Sequence, residues 1–182
     1  MTSPVVRRWA PILAVVVLLP LTLGVTFQND WVGFYATQPS QPVRVEPGEP
    51  VEFAGTTWQV TDVSRVTAAS DEGAEIGLPD ETLLLTVAVR VTPDELVDGL
   101  SPYCMATLQE LDGDTVVRNW DEATFSPIDY SPDDPLEWGC DTELTSPYSF
   151  EAWFVVPDDV GEQLSLSLDV TGQRPQFLRL LL

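Results

Sequence analysis

The side chains able to do chemistry concentrate in one segment of 29 residues, Asn119–Pro147. It carries eight carboxylates and no basic residue, with Trp120, Phe125, Tyr130 and Trp138 interleaved among them. Asp129, Asp133, Asp134, Glu137, Asp141 and Glu143 offer oxygen ligands for calcium, although glycine is missing from the sharp-turn position of an EF-hand loop. Asp112-Gly113-Asp114 reads as a turn, not a metal loop. Two carboxylates can also serve as the acid and base of a glycosidase, but that chemistry needs a cleft. A third use is recognition. Aromatic residues presented from a loop among acidic neighbours suit a protein or peptide partner that brings arginine or lysine. Trp120, Tyr130, Asp133, Asp134 and Trp138 are the candidate partner-binding residues, with Trp138 as the anchor and the Asp133-Asp134 pair steering the encounter. The competing reading folds Trp120 and Trp138 back onto the domain as packing.

Composition removes several other chemistries. Among 182 residues there are 29 acidic and 8 basic side chains, a formal net charge of −21; every basic residue is arginine, and lysine and histidine are absent. No Ser-His or Cys-His nucleophile pair, imidazole metal site, Schiff-base lysine or phosphate-loop lysine can be built. A polyanion such as nucleic acid finds no basic surface here. Serines are plentiful but have only carboxylates as bases, so the expectation is a protein that is not an enzyme and carries no cofactor. An acidic, arginine-only proteome would produce the same charge balance without any partner.

These residues need a location and a scaffold. Arg7-Arg8 precede an uncharged run of nineteen residues, Trp9 to Phe27. At about 1.5 Å per residue it extends roughly 28 Å, the thickness of bilayer hydrocarbon. Trp9 at one end and Trp31, Phe34 and Tyr35 at the other suit the interfaces. A cleaved signal is the alternative, but the run exceeds a signal core and a small-x-small cleavage site is hard to find. No cysteine lies there to form a lipobox, and the two arginines read better as a basic flank than as a twin-arginine signal. The expectation is a cytoplasmic segment 1–8, a transmembrane signal anchor over 9–27, a proline-rich stalk over 28–50 and an external domain over 51–182. Pro11 would lie in the first turn, and Pro20 would kink the helix.

The external part reads as β throughout. Leu83, Leu85, Val87, Val89 and Val91 alternate with their neighbours at period two, as do Phe150, Ala152, Phe154 and Val156. Leu164, Leu166, Leu168 and Val170 alternate with Ser165, Ser167 and Asp169, predicting one buried and one wet face. Trp58 and Val60 share a face while Val63 falls out of phase, which predicts a bulge near Asp62. Asp112-Gly113 between apolar runs predicts a hairpin. Val43 and Val45 are candidate edge pairings, and Phe177–Leu182 is a short last strand. Thr92-Pro93-Asp94-Glu95 has the pattern of a helical capping box. Seven to nine strands in this length predict an antiparallel β-sandwich. Cys104 and Cys140, 36 apart, are read as one disulfide in an oxidising compartment.

The succession Trp58-Gln59-Val60-Thr61-Asp62-Val63, Leu83–Val91, Leu108-x-x-Leu111-Asp112-x-Asp114, Phe154-Val155-Val156-Pro157 and Leu164-x-Leu166-x-Leu168 resembles a family of small bacterial envelope domains. That family is immunoglobulin-like, mostly of unknown function, and related to the small secreted immunoprotective antigen of mycobacteria. The resemblance covers residues 51–171 and departs at the long insert, 119–147. Its motifs are packing and turn motifs, so it implies an extracytoplasmic binding or accessory role without catalytic residues. A structural subunit of a larger membrane complex is the rival from another class, and a calcium-binding envelope domain a more distant one. The anchor has no Gly-xxx-Gly motif and no intramembrane charge, which suits a plain tether.

Overall fold

A computed structural model of the chain describes residues 4–96, 99–123, 128–131, 136–137 and 139–182. Its first element, α1, runs from Pro4 to Ala36, 33 residues or about 50 Å at 1.5 Å per residue. The helix is longer than the apolar run at both ends, because hydrogen-bonded turns propagate through Gln28–Asp30 without needing apolar side chains. Pro11 and Pro20 therefore both lie inside the helix, not in its first turn. Thr22 Oγ donates to the Leu18 carbonyl, and Thr26 Oγ to the Thr22 carbonyl at 2.9 Å. Back-bonding of this kind tends to bend a helix slightly. Val15–Phe34 is apolar and long enough to be a membrane anchor or a signal sequence.

Residues up to Gln38 form one unit, and Pro39–Leu182 form a second. Within 28–50, residues up to Ala36 belong to α1, and Gln41–Val45 is the edge strand expected from Val43 and Val45, which pair with Leu178 and Leu180. Pro42 is tolerated in that strand because an edge position leaves one side of the backbone unpaired.

The β domain has two sheets. In the five-stranded sheet, β1 (Gln41–Val45) runs parallel to β9 (Gln176–Leu181), followed by β8 (Leu164–Val170), β5 (Cys104–Asp112) and β6 (Thr115–Asp121). The four-stranded sheet is ordered β2 (Val51–Phe53), β3 (Thr56–Thr67), β4 (Thr82–Pro93), β7 (Tyr148–Pro157). Alternation sends Trp58, Val87, Val89, Phe150 and Phe154 from one sheet and Leu108, Leu166, Leu168 and Leu178 from the other into one shared core. The bulge lies where it was expected: register shifts between Val60 and Asp62, and the displaced Thr61 donates its hydroxyl to the Ala88 carbonyl at 3.2 Å. The Asp-Gly hairpin also forms. Asp112 pairs with Thr115, leaving Gly113-Asp114 as the turn, with Gly113 at a φ of 62° that favours glycine.

Two local expectations fail. Thr92 and Pro93 finish β4 in register with Thr57 and Thr56, and among the described residues no helix follows before β5. The Asp94 and Glu95 amides donate instead to the Gly55 carbonyl, at 3.0 and 2.7 Å. Strand pairing outweighs a local capping signal here. The short helix is α2, Asp71–Glu75, capped by Ser70, whose hydroxyl accepts from the Gly73 amide at 3.0 Å. Finally, Ser165 and Ser167 are buried, not wet. Their register neighbours Gln109 and Arg179 carry long side chains over that face, and Arg179 lies 5.5 Å from the centre of the Phe177 ring.

Candidate interaction surface

The 119–147 insert connects β6 of one sheet to β7 of the other, and its described parts are attached at successive points. Trp120, on β6, pairs with Leu108 of β5 and packs half-buried against the main core, with the Arg118 guanidinium 5.5 Å from its ring centre. Arg118 is itself held by the Glu110 carboxylate and by Asp159, at 2.7 Å. The Arg118 hydrogen bond, helped by the Gly161 amide at 3.1 Å, holds the Glu110 carboxyl below its ordinary range.

Beyond β6 the chain turns onto the outer face of the four-stranded sheet. The Ala123 amide donates to the Trp153 carbonyl at 3.0 Å, and the Asp129 amide to the Ile76 carbonyl at 2.9 Å. Ile128 is buried with Leu78, Leu84 and Trp153 in a second apolar cluster, which Ile76, Ala123, Tyr130 and Val155 extend. The Tyr130 ring lies 5.4 Å from Trp153 at 59°, and its hydroxyl donates to the buried Glu151 carboxylate. Glu137 then adds to the free edge of β7. Its amide donates to the Ser149 carbonyl and its carbonyl accepts from the Glu151 amide, both at 3.0 Å.

The predicted Cys104–Cys140 disulfide is present, with Cα atoms 5.5 Å apart. It joins the insert to the first residue of β5. Next to it, the Ser101 amide donates to the Thr142 carbonyl at 3.0 Å and its hydroxyl to the Leu144 carbonyl. The long connection is therefore secured covalently and by backbone pairing, which lowers the ordering cost of any contact made through it.

Of the five candidate recognition residues, Trp120 and Tyr130 are placed as half-buried packing groups, one against each apolar cluster. Asp133, Asp134 and Trp138, like Phe125, lie outside the described residues. Two residues that matter to the insert, Glu151 and Trp153, were not anticipated. The signal for them was the nearly unbroken apolar run Ala152–Val156, which marks a strand covered on both faces, as does Leu83-Leu84-Leu85 in β4. Glu122, half-buried where the insert leaves β6, has its carboxyl pushed up to about 7 by burial. Burial likewise raises the Tyr148 phenol. Among the described residues no three carboxylates or thiols gather as a metal site.

No family model matches the chain, and no curated protein matches it. A solved structure that does match is a candidate lipoprotein from Bacillus subtilis, at 18% identity and a TM-score of 0.46. The match covers 73% of this chain and 38% of that one, so the chain spans well under half of that protein's length. No fold, activity or location is transferred from a likeness of that degree.

Proposed function

We propose that the chain is a membrane-tethered, extracytoplasmic immunoglobulin-like module of a bacterial cell envelope that binds a basic protein or peptide through the 119–147 insert. It is a binding module, not an enzyme, and the resemblance to the small envelope domains belongs to the same reading. The observation that carries it is the way the insert is secured: a long acidic connection pinned by Cys104–Cys140, by the Ser101 clasp and by Tyr130 on Trp153. The disulfide favours an oxidising compartment, and α1 supplies an apolar segment of membrane-spanning length.

Strand order supports the immunoglobulin-like part. The sequence β9-β8-β5-β6 follows the G-F-C-C′ order of such sandwiches, and β3-β4-β7 follows A-B-E. The insert follows β6 where strand D would, and Glu137 makes an isolated parallel bridge to Phe150 of β7. The 28 carboxylates and six arginines outside α1 favour a cationic partner and repel an anionic one.

The test uses full-length protein in lipid discs and the partner it captures from membrane extracts. The reading expects capture to be lost with Trp138→Ala, Asp133→Asn, Asp134→Asn. It expects capture to persist with Glu49→Gln, Glu162→Gln, which removes as much charge elsewhere. Equal capture by all three proteins returns the insert to a packing role.

A further inference from the structure

Outside α1, the described large apolar side chains left exposed are Val63, Leu96, Leu100, Tyr103, Met105 and Val117. Four of the six fall within residues 96–105, where the connection from β4 enters β5. Tyr103 is 51% exposed, Leu100 and Met105 48%, and Leu96 42%. Scattered single apolar residues need no explanation, but a cluster on one short connection does. The cluster is also rigidly based. Cys104, between Tyr103 and Met105, is disulfide-bonded, Ser101 is clasped to Thr142 and Leu144, and the Tyr103 carbonyl accepts from the Thr171 amide at 2.9 Å.

Its position in the domain names the occupant. The chain enters the β domain at Ser40 and Gln41, whose amides both donate to the Pro175 carbonyl, at 2.9 and 3.0 Å. Pro175 closes the turn after β8, and residues of that turn, Thr171, Gly172 and Arg174, line one groove with Tyr103 and Met105. The exposed cluster and the entry point of the chain therefore share one end of the domain. α1 stops at Ala36 and β1 starts at Gln41, so four residues, Thr37–Ser40, join them. Four residues reach at most ~14 Å.

We propose that this end of the β domain docks on the interfacial layer of the bilayer that holds α1, with Leu100, Tyr103 and Met105 among the lipid headgroups. The proposal rests on the anchored reading of α1. Tyrosine, leucine and methionine suit a layer that is apolar on one side and wet on the other. Arg174, paired with Asp169 at 2.5 Å, stands at the rim. Asp94, Glu95, Asp141 and Glu143 belong to the same end, so zwitterionic headgroups are accepted and anionic ones opposed.

The test is site-directed spin labelling of the full-length protein in phosphatidylcholine discs. A nitroxide amino acid replaces, one at a time, Leu100, Leu96, Leu21 in α1, and Glu162 at the opposite end of the domain. Collision with oxygen relative to a water-soluble nickel chelate is read at each. The proposal expects Leu100 and Leu96 to shift from the aqueous value at Glu162 toward the lipid value at Leu21, and to shift back when phosphatidylserine replaces much of the phosphatidylcholine. Aqueous values at both 96 and 100, with a lipid value at Leu21, overturn the docking and leave the anchor standing. An aqueous value at Leu21 removes the anchor and the docking together.

Discussion

Glu122→Gln should stabilise the β domain at neutral and alkaline pH, and progressively less as the solution is acidified. Burial holds the Glu122 carboxyl near 7 in place of its ordinary 4.5. Below the ordinary value both folded and unfolded chains carry the proton, and the group is neutral to stability. As pH rises from there, the unfolded chain ionises first, so the folded chain binds the extra proton and stability falls; the loss is complete once pH exceeds the folded value. At about 1.4 kcal/mol per tenfold change, the full penalty is roughly 3 kcal/mol. Glutamine has nearly the same shape and cannot ionise, so it avoids that penalty. The sequence pI is about 4.1, which makes acid measurements prone to precipitation. Urea unfolding of wild type and variant is therefore compared from about pH 5.5 to about pH 8, where the difference should grow by ~2 kcal/mol. The intrinsic tryptophan fluorescence supplies the signal. Repulsion among the other carboxylates changes with pH in both proteins and cancels in the difference. An offset that stays constant across the range would mean that the substitution acts through packing or hydrogen bonding. Either that or coincident curves at about pH 8 would refute the argument from burial.

Further outcomes follow from other contacts. Cys104→Ser with Cys140→Ser opens a loop of 36 residues and should cost ~4 kcal/mol by chain entropy, read as a fall in urea midpoint; no change would mean that the insert is held without the bond. Gly73→Ala places a Cβ 2.1 Å from the Thr67 carbonyl oxygen, so thermal unfolding should show destabilisation on the order of 1–3 kcal/mol, against the usual benefit of alanine in a helix. Arg118→Met removes the hydrogen bond that depresses the Glu110 carboxyl, and carboxyl NMR titration should find Glu110 moved upward; an unchanged midpoint would deny the pairing its electrostatic role.

Much was legible in the chain because it depends on local pattern. Period-two alternation marked the core strands, the out-of-phase Val63 marked the bulge, and Asp112-Gly113 marked the hairpin. Each follows from backbone geometry over a few residues. The two cysteines, with neither lysine nor histidine present, marked a disulfide and excluded several families of catalytic site. What the pattern missed depends on partners distant along the chain. Thr92–Glu95 carries a helical signal, yet Thr56 and Thr57, more than thirty residues earlier, draw it into a strand. Val43 and Val45 marked an edge strand at Gln41–Val45, but not its partner, because β9 lies at the other end of the chain and pairs with it in parallel.

The recognition candidates divide in the same way. Sequence alone determined that 119–147 concentrates acidic and aromatic residues, since composition is a property of the chain. Only tertiary structure decided that Tyr130 spends its ring on Trp153 and its hydroxyl on Glu151, and that Trp120 lies against the core under Arg118. It also decided that part of the outer face of the four-stranded sheet, around Leu84 and Trp153, is dry, because Ile128 closes over it. The physical reason is that a side chain's exposure is set by what other segments leave uncovered. Alternation along one strand tells which residues share a face, but the covering comes from elsewhere: here from a connection whose route is set by a disulfide 36 residues long and by the open edge of β7.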